Sequence, residues 1–146
     1  MACKKPVSVL VVIHTASNDI LLLERAAHPG YWQSVTGSQE DEESLAETAA
    51  REVLEETGID IAAHGLKLLD WQQVNTYEIF PEWRHRYAPG VTENTEHVFS
   101  LEVPSGIPIH IAPGEHLAYQ WLPAPAAANL VFSWSNRDAI LQLNNC

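Results

Sequence analysis

Glu52, Glu55 and Glu56 are spaced so that one helix would carry all three together. At about 100° per residue they fall within an arc of roughly 100°. Local signals support that helix. Ser44-Leu45-Ala46-Glu47 reads as a capping box, serine followed three residues later by glutamate. Gly58 stands where a left-handed residue would close the last turn. The stretch 37–59 therefore reads as a helix between two glycines, opened by Gly37, with acidic residues crowding the first turn where the helix dipole favours them. Ala46, Ala49, Ala50 and Val53 make the adjoining stripe, small enough to lie close against a sheet. Like charges at helical spacing repel by about 0.2–0.5 kcal/mol per pair. A solvated acidic face is the ordinary reading of such a pattern. The sharper one is a site for a hard divalent cation, which chooses carboxylate oxygens. Arg51 would then orient a neighbouring carboxylate.

The elements that must position these groups can be read outward from the helix. Residues 7–13 form a short β-branched run, expected as a buried strand, and Ser17-Asn18-Asp19 supplies turn chemistry before a returning strand at 20–23 that ends at Glu24 and Arg25. A loop at 26–30 and the run 31–36 lead into Gly37. Residues 66–77, or on to 80, should hold one or two strands; 81–90 reads as a loop, 96–103 as a strand and 104–108 as a turn. His116, Ala118 and Gln120 alternate with Leu117, Tyr119 and Trp121, which predicts a short strand over 115–122. Helices are expected at 123–129, helped by its early proline, and at 135–143. Strands separated by few helices predict an α/β fold, a mixed sheet with helices on its faces.

At 146 residues and 46% apolar with five tryptophans, the chain suits one globular domain over 1–146. Its formal charge of −11 argues against a nucleic-acid partner, because duplex binding rests on Lys and Arg neutralising phosphates. A small polyphosphate stays compatible, since a divalent cation neutralises both ligand and carboxylates. Cys3 and Cys146 form neither a Cys-x-x-Cys motif nor a disulfide framework. The beginning of the chain lacks a signal-peptide pattern, and the run 7–13 is too short to span a bilayer, so no membrane partner and a cytoplasmic location are expected.

The stretch 37–59 resembles the Nudix box: Gly, five residues, Glu, seven residues, then Arg-Glu-aliphatic-any-Glu-Glu-any-Gly-aliphatic. Gly37, Glu43, Arg51, Glu52, Val53, Glu55, Glu56, Gly58 and Ile59 meet every specified position. The resemblance implies a Nudix α/β/α sandwich with a mixed β-sheet, and hydrolysis of a nucleoside diphosphate linked to another moiety or of a similar organic pyrophosphate. It also implies Mg2+, for which Mn2+ can substitute, held by Glu52 and Glu56 with the Gly37 carbonyl oxygen. Glu55 would be a third ligand or a base, and Glu43 and Arg51 would hold loop and helix together. Glu115 precedes the strand over 115–122, where many Nudix proteins place a metal-binding or water-activating glutamate. It is therefore expected as a further ligand or base; alone, a glutamate after Pro113-Gly114 would read as a surface residue. His116 and the other histidines show no ligand spacing and read as structural or surface residues.

The box implies a reaction class and leaves the substrate open. Four further stretches resemble one branch of the family, the dihydroneopterin triphosphate pyrophosphatases of bacterial folate synthesis. They are Trp32-Gln33-Ser34-Val35-Thr36-Gly37-Ser38, Arg84-His85-Arg86-Tyr87-Ala88-Pro89-Gly90-Val91, Glu115-His116-Leu117-Ala118-Tyr119-Gln120-Trp121-Leu122 and Ser133-Trp134-Ser135-Asn136-Arg137. That branch implies a pterin triphosphate as partner, cleaved to the monophosphate and pyrophosphate. A pterin needs a flat apolar slot with a few hydrogen-bonding edges. Tyr77, Glu78, Ile79 and Phe80 offer these in one run, although Tyr77 and Phe80 read equally as core. Lys4 and Arg25 flank the first two strands and are candidates for phosphate oxygens. Thr36 and Ser133 are candidates for substrate hydrogen bonds. Arg84-His85-Arg86 would serve triphosphate binding, a loop clamp or a subunit contact. Two alternatives stand beside this reading: a general (deoxy)nucleoside triphosphate pyrophosphatase or dinucleoside polyphosphate hydrolase, and a non-catalytic ligand sensor on the same fold.

Overall fold

The computed structural model describes residues 3–144, Asn144 through its backbone alone; Cys146 lies outside the described residues. Seven strands share one sheet: β1 (Val7–His14), β2 (Asp19–Arg25), β3 (Trp32–Gln33), β4 (Val35–Ser38), β5 (Leu68–Glu78), β6 (Glu93–Glu102) and β7 (His116–Pro123). Three α-helices, α1 (Leu45–Thr57), α2 (Ala124–Leu130) and α3 (Trp134–Asn144), and a 3-10 helix over Pro81–Arg86 complete the chain. The main path runs β3-β2-β1-β6-β5, with β4 paired to β1 and β7 to β2. The pair β1/β6 is parallel and the others are antiparallel, so the sheet is mixed.

Strand alternation sorts the core into two layers. Val9, Val11 and Ile13 of β1, with Leu21 and Leu23 of β2, pack against Ala49 and Val53 of α1. Leu10 and Val12, with Ile20 and Leu22, pack against Ala124, Ala127 and Ala128 of α2 and Ala139 and Ile140 of α3. Both faces of β1 and β2 are thus covered by helices, which is why their apolar runs are continuous. The result is an α/β/α sandwich.

The sheet forks at its centre. β1 meets β2 at His14 and Ile20, while Ser8 to Val11 pair instead with Ser38 to Val35 of β4. β2 is flanked by β3 and β7. The extended segment 32–38 therefore leaves β2 and joins β1, and a cleft opens where the two halves part.

Some local expectations need correction. The helix starts at Leu45, so Gly37 lies in a strand and most of the acidic run precedes the helix in a loop; Glu47 is the acidic residue of the first turn. Ala46 is exposed and Ala50 half-buried, whereas Thr48, Ala49, Val53, Glu56 and Thr57 are buried. The run 81–90, expected as a loop, contains the 3-10 helix. The run 66–80, expected to hold one or two strands, agrees: it holds one, β5, with a register shift between Asp70 and Val74 around Gln72, whose φ is +53°.

Candidate active site

Helix α1 is built by its ends. Glu47 N–H donates to Ser44 Oγ at 3.1 Å and Ser44 N–H to Glu47 Oε1 at 2.8 Å, closing the capping box. Gly58, at φ +78°, ends the helix and lies against His110. The buried stripe of α1 sits on β1 and carries Glu56 into the interior.

Arg51 organises the loop before α1. Its Nε donates to Glu43 Oε2 at 2.5 Å and its Nη2 to Glu43 Oε1 at 3.0 Å, a bidentate pair. The same guanidinium reaches the Ser38 carbonyl at 3.0 Å and Glu52 Oε1 at 2.6 Å. Glu43 also accepts from Glu40 N–H and Thr48 Oγ1. The Arg51 guanidinium holds the Glu43 carboxyl down at about 2. One side chain thereby ties β4, the loop and α1 together and aims Glu52.

Gly37 is where α1 meets β4. A Cβ there would overlap the Glu52 carboxylate, so no larger residue fits without displacing it. Glu52 is half-buried and Glu56 is 2% exposed. Burial pushes the Glu56 carboxyl well up, and Glu52, to which it is hydrogen-bonded, pushes it further. Two adjacent carboxylates out of water titrate as a pair, each resisting the ionisation of the other. Glu56 Oε1 has no hydrogen-bond partner; the nearest ion-pairing group, His116 Nε2, is 3.7 Å away. Burial and the nearby Arg25 push His116 down, so it is a neutral imidazole.

An orphaned, buried carboxylate oxygen beside a second carboxylate fits a hard divalent ion, which takes oxygen ligands and keeps several for water and substrate. Among the described residues, no three His, Cys, Asp or Glu side chains converge as a preformed metal cluster. The donors present are Glu52, Glu56 and the Gly37 backbone, with Glu115 exposed at the rim of the same cleft. Glu55 is different. Its side chain is 50% exposed, lies 3.4 Å from Arg51 and does not line the cleft.

The cleft has a volume of about 1250 Å³. Facing the carboxylates are Lys4, Arg25 and Arg86; burial lowers the pKa of Lys4 and of Arg25, and the nearby charge of Arg86 lowers both further. β7 brings His116 opposite Arg25 through a register shift between Glu24 and Arg25. Arg25 lies 4.9 Å from the Trp83 ring centroid and donates to Gln33 Oε1 at 3.1 Å. Trp83 belongs to an aromatic group with His28, Phe80 and Phe132 that packs the 3-10 helix onto neighbouring loops. In a chain of net charge −11, this cationic wall opposite two carboxylates is a place for a polyphosphate.

Of the residues singled out from sequence, Lys4, Arg25, Thr36, Gly37, Arg51, Glu52, Glu56, Tyr77 and Glu115 line this cleft. Glu43 braces it from outside through Arg51. Glu78, Ile79, Phe80 and Ser133 are not among the lining residues. Glu78 pairs with Arg84 at 2.8 Å, Ile79 is buried, Phe80 packs on Trp83, and Ser133 Oγ accepts the Asn136 N–H at the start of α3. The basic run divides its labour: Arg84 clamps Glu78 and the Ile79 carbonyl, while His85 and Arg86 face the cleft. Sequence reasoning missed Gln33, Trp83, Asn94 and His116. His116 had one usable signal, its place beside Glu115; Asn94 had none.

A model of the NUDIX domain matches residues 4–143. The chain is 53% identical over 140 residues to the dihydroneopterin triphosphate diphosphatase of Escherichia coli K12, covering 95% of this chain and 92% of that one. It is 41% identical over 142 residues to the Haemophilus influenzae protein of the same name, covering 96% and 88%. The solved structure of the E. coli dihydroneopterin triphosphate pyrophosphohydrolase superposes with a TM-score of 0.91 at 52% identity, over 97% of both chains.

Proposed function

Because the chain belongs to the Nudix family, whose members generally use divalent metal ions, we propose that it hydrolyses 7,8-dihydroneopterin 3′-triphosphate to dihydroneopterin monophosphate and pyrophosphate, a step of bacterial folate synthesis. The observation that carries the chemistry is the buried Glu56 carboxyl with its unpartnered Oε1, set beside Glu52 under a wall of Lys4, Arg25 and Arg86. The substrate rests on the relatives' names and on the length of chain they share with this one.

Glu52, Glu56, Glu115 and the Gly37 carbonyl oxygen would hold Mg2+, with Mn2+ as a substitute. Bound there, the ion supplies charge neutralisation of the phosphate oxygens and acidification of water. The chain's own residues do the rest. Arg51 holds Glu52 in its ligating pose. Lys4, Arg25 and Arg86 bind the phosphate oxygens and fix the chain of phosphates against the carboxylates. Glu115 serves as that further ligand or, free of the ion, as the base that takes the proton of the attacking water; Glu55, turned toward Arg51, is less well placed. Residues 1–146 act as one domain, on a small molecule, in the cytoplasm; no described helix is long and apolar enough to cross a membrane.

The test compares kcat/KM with Mg2+ for dihydroneopterin triphosphate, dATP and diadenosine polyphosphates. The pterin substrate should lead by at least about tenfold, the low end of what a shaped pocket discriminates. A nucleotide leading by a wide margin would replace the substrate. No pyrophosphate from any of them would make the chain a ligand sensor.

A further inference from the structure

The cleft also has a polar floor, formed by Ser8, Tyr77 and Asn94, that phosphate binding does not use. Asn94 of β6 is 2% exposed and lines the cleft. Its Nδ2 donates to Ser8 Oγ on β1 at 2.7 Å and to Tyr77 Oη on β5 at 3.1 Å. Both amide hydrogens are therefore spent. Its Oδ1 is buried without a partner. A buried amide carbonyl is rarely left so, because it forfeits the hydrogen bond that water would give it.

The amide is held in this orientation from behind. Tyr77 faces Glu96, a carboxyl 4% exposed that is placed among Ser135, Asn75 and Tyr77. Burial and that carboxyl push the Tyr77 phenol up, so it stays neutral. A hydroxyl facing a carboxyl oxygen turns its proton toward it and offers its lone pairs to the other neighbour. Tyr77 thus accepts from Asn94, and the free end of the amide is the oxygen. Arg25 lies within electrostatic reach of both Glu56 and Tyr77, so the cationic wall adjoins both the carboxylates and this part of the cleft.

We propose that Asn94 Oδ1, oriented by Ser8 and Tyr77, is the acceptor that recognises the heterocycle of the substrate. The ligand class is a flat 2-amino-4-oxo ring, whose amino group and ring N–H form one donor edge. This rests on reading the cleft as a pterin triphosphate site. A triphosphate anchored on Lys4, Arg25 and Arg86 leaves its organic end to reach the floor, and the heterocycle replaces the water-like partner that Asn94 lacks. Specificity of this kind comes from a polar atom left unpaired when the wrong ligand binds.

The experiment measures KM for dihydroneopterin triphosphate, Kd for phosphate-free neopterin and Ki for tripolyphosphate, which carries no heterocycle. For Asn94→Leu, KM and the neopterin Kd should rise about 30-fold, the scale of losing one buried hydrogen bond, while the ratio of neopterin Kd to tripolyphosphate Ki rises by the same factor. Tyr77→Phe, which keeps the ring and frees the amide to rotate, should raise both about fivefold and serves if Asn94→Leu does not fold. Neopterin and tripolyphosphate affinities falling in parallel, or neither falling in a folded variant, would overturn the proposal. If the unmodified chain binds neopterin but releases no pyrophosphate from dihydroneopterin triphosphate, the function reading fails while the Asn94 assignment is still decided by neopterin binding.

Discussion

Two neighbouring glutamates of the same helix, Glu55 and Glu56, meet opposite fates. Glu55 is half-exposed beside Arg51, and Glu56 is buried with its carboxyl pushed well up and one oxygen unpartnered. One residue of helix is about 100° of rotation, enough to move a side chain from solvent to core. Glu56→Gln keeps the shape of the side chain and removes a buried acid whose ionisation burial opposes, so it leaves the fold intact. Pyrophosphate release should fall by about 10³-fold, since an amide is a poor substitute for an anionic oxygen ligand, with Tm within a few degrees. Near-normal turnover in a folded Glu56→Gln variant would refute the metal assignment. Both carboxylates were legible from their spacing; which of them is buried was not.

At the scale of elements, the cleft depends on how segment 32–38 crosses from β2 to β1. Asn136, at the start of α3, holds that crossing. Its Oδ1 accepts Ser34 N–H at 2.8 Å and its Nδ2 donates to Ser34 Oγ at 3.0 Å, both buried. Asn136→Ala would strand a backbone N–H and a hydroxyl inside the protein. The cost is about 2 kcal/mol, a fall in Tm of about 6 °C for a chain of this size. Calorimetry checks it, and an unchanged Tm would mean that the crossing is held by other contacts. The helix caps Ser44, Glu47 and Gly58 could be read directly, because they act within four residues. The tie between residues 34 and 136 could not, because α3 reaches Ser34 through the whole intervening fold.

For the whole molecule, acid stability reports on the loop that carries the box. Glu43 titrates at about 2 in the folded chain, below its ordinary 4.5, because Arg51 holds it ionised. Between those values the unfolded chain takes up a proton that the folded chain refuses, so stability falls as pH falls. The contribution is fully present above about 4.5. Glu43→Gln should therefore be less stable at pH 6 yet lose less stability between pH 4.5 and 2, as urea midpoints would show. Parallel pH curves for the two proteins would mean that the pair contributes nothing to folding.

By itself the sequence determined the helix, its caps and the α/β pattern, since each is written in local spacings that backbone geometry converts directly into position; the class of reaction came from likeness to a family. It also marked Lys4, Arg25 and Glu115, through residue type and likeness to a family. Only the tertiary structure decided that Tyr77 enters the cleft while Glu78, its neighbour in β5, pairs with Arg84, that Arg86 joins Lys4 and Arg25, and that Asn94 meets Ser8 across 86 residues of chain. These depend on strand register and on where the sheet forks. Register is set by the sum of pairings along β1, β5 and β6, so no short pattern announces which polar side chain will line the cleft.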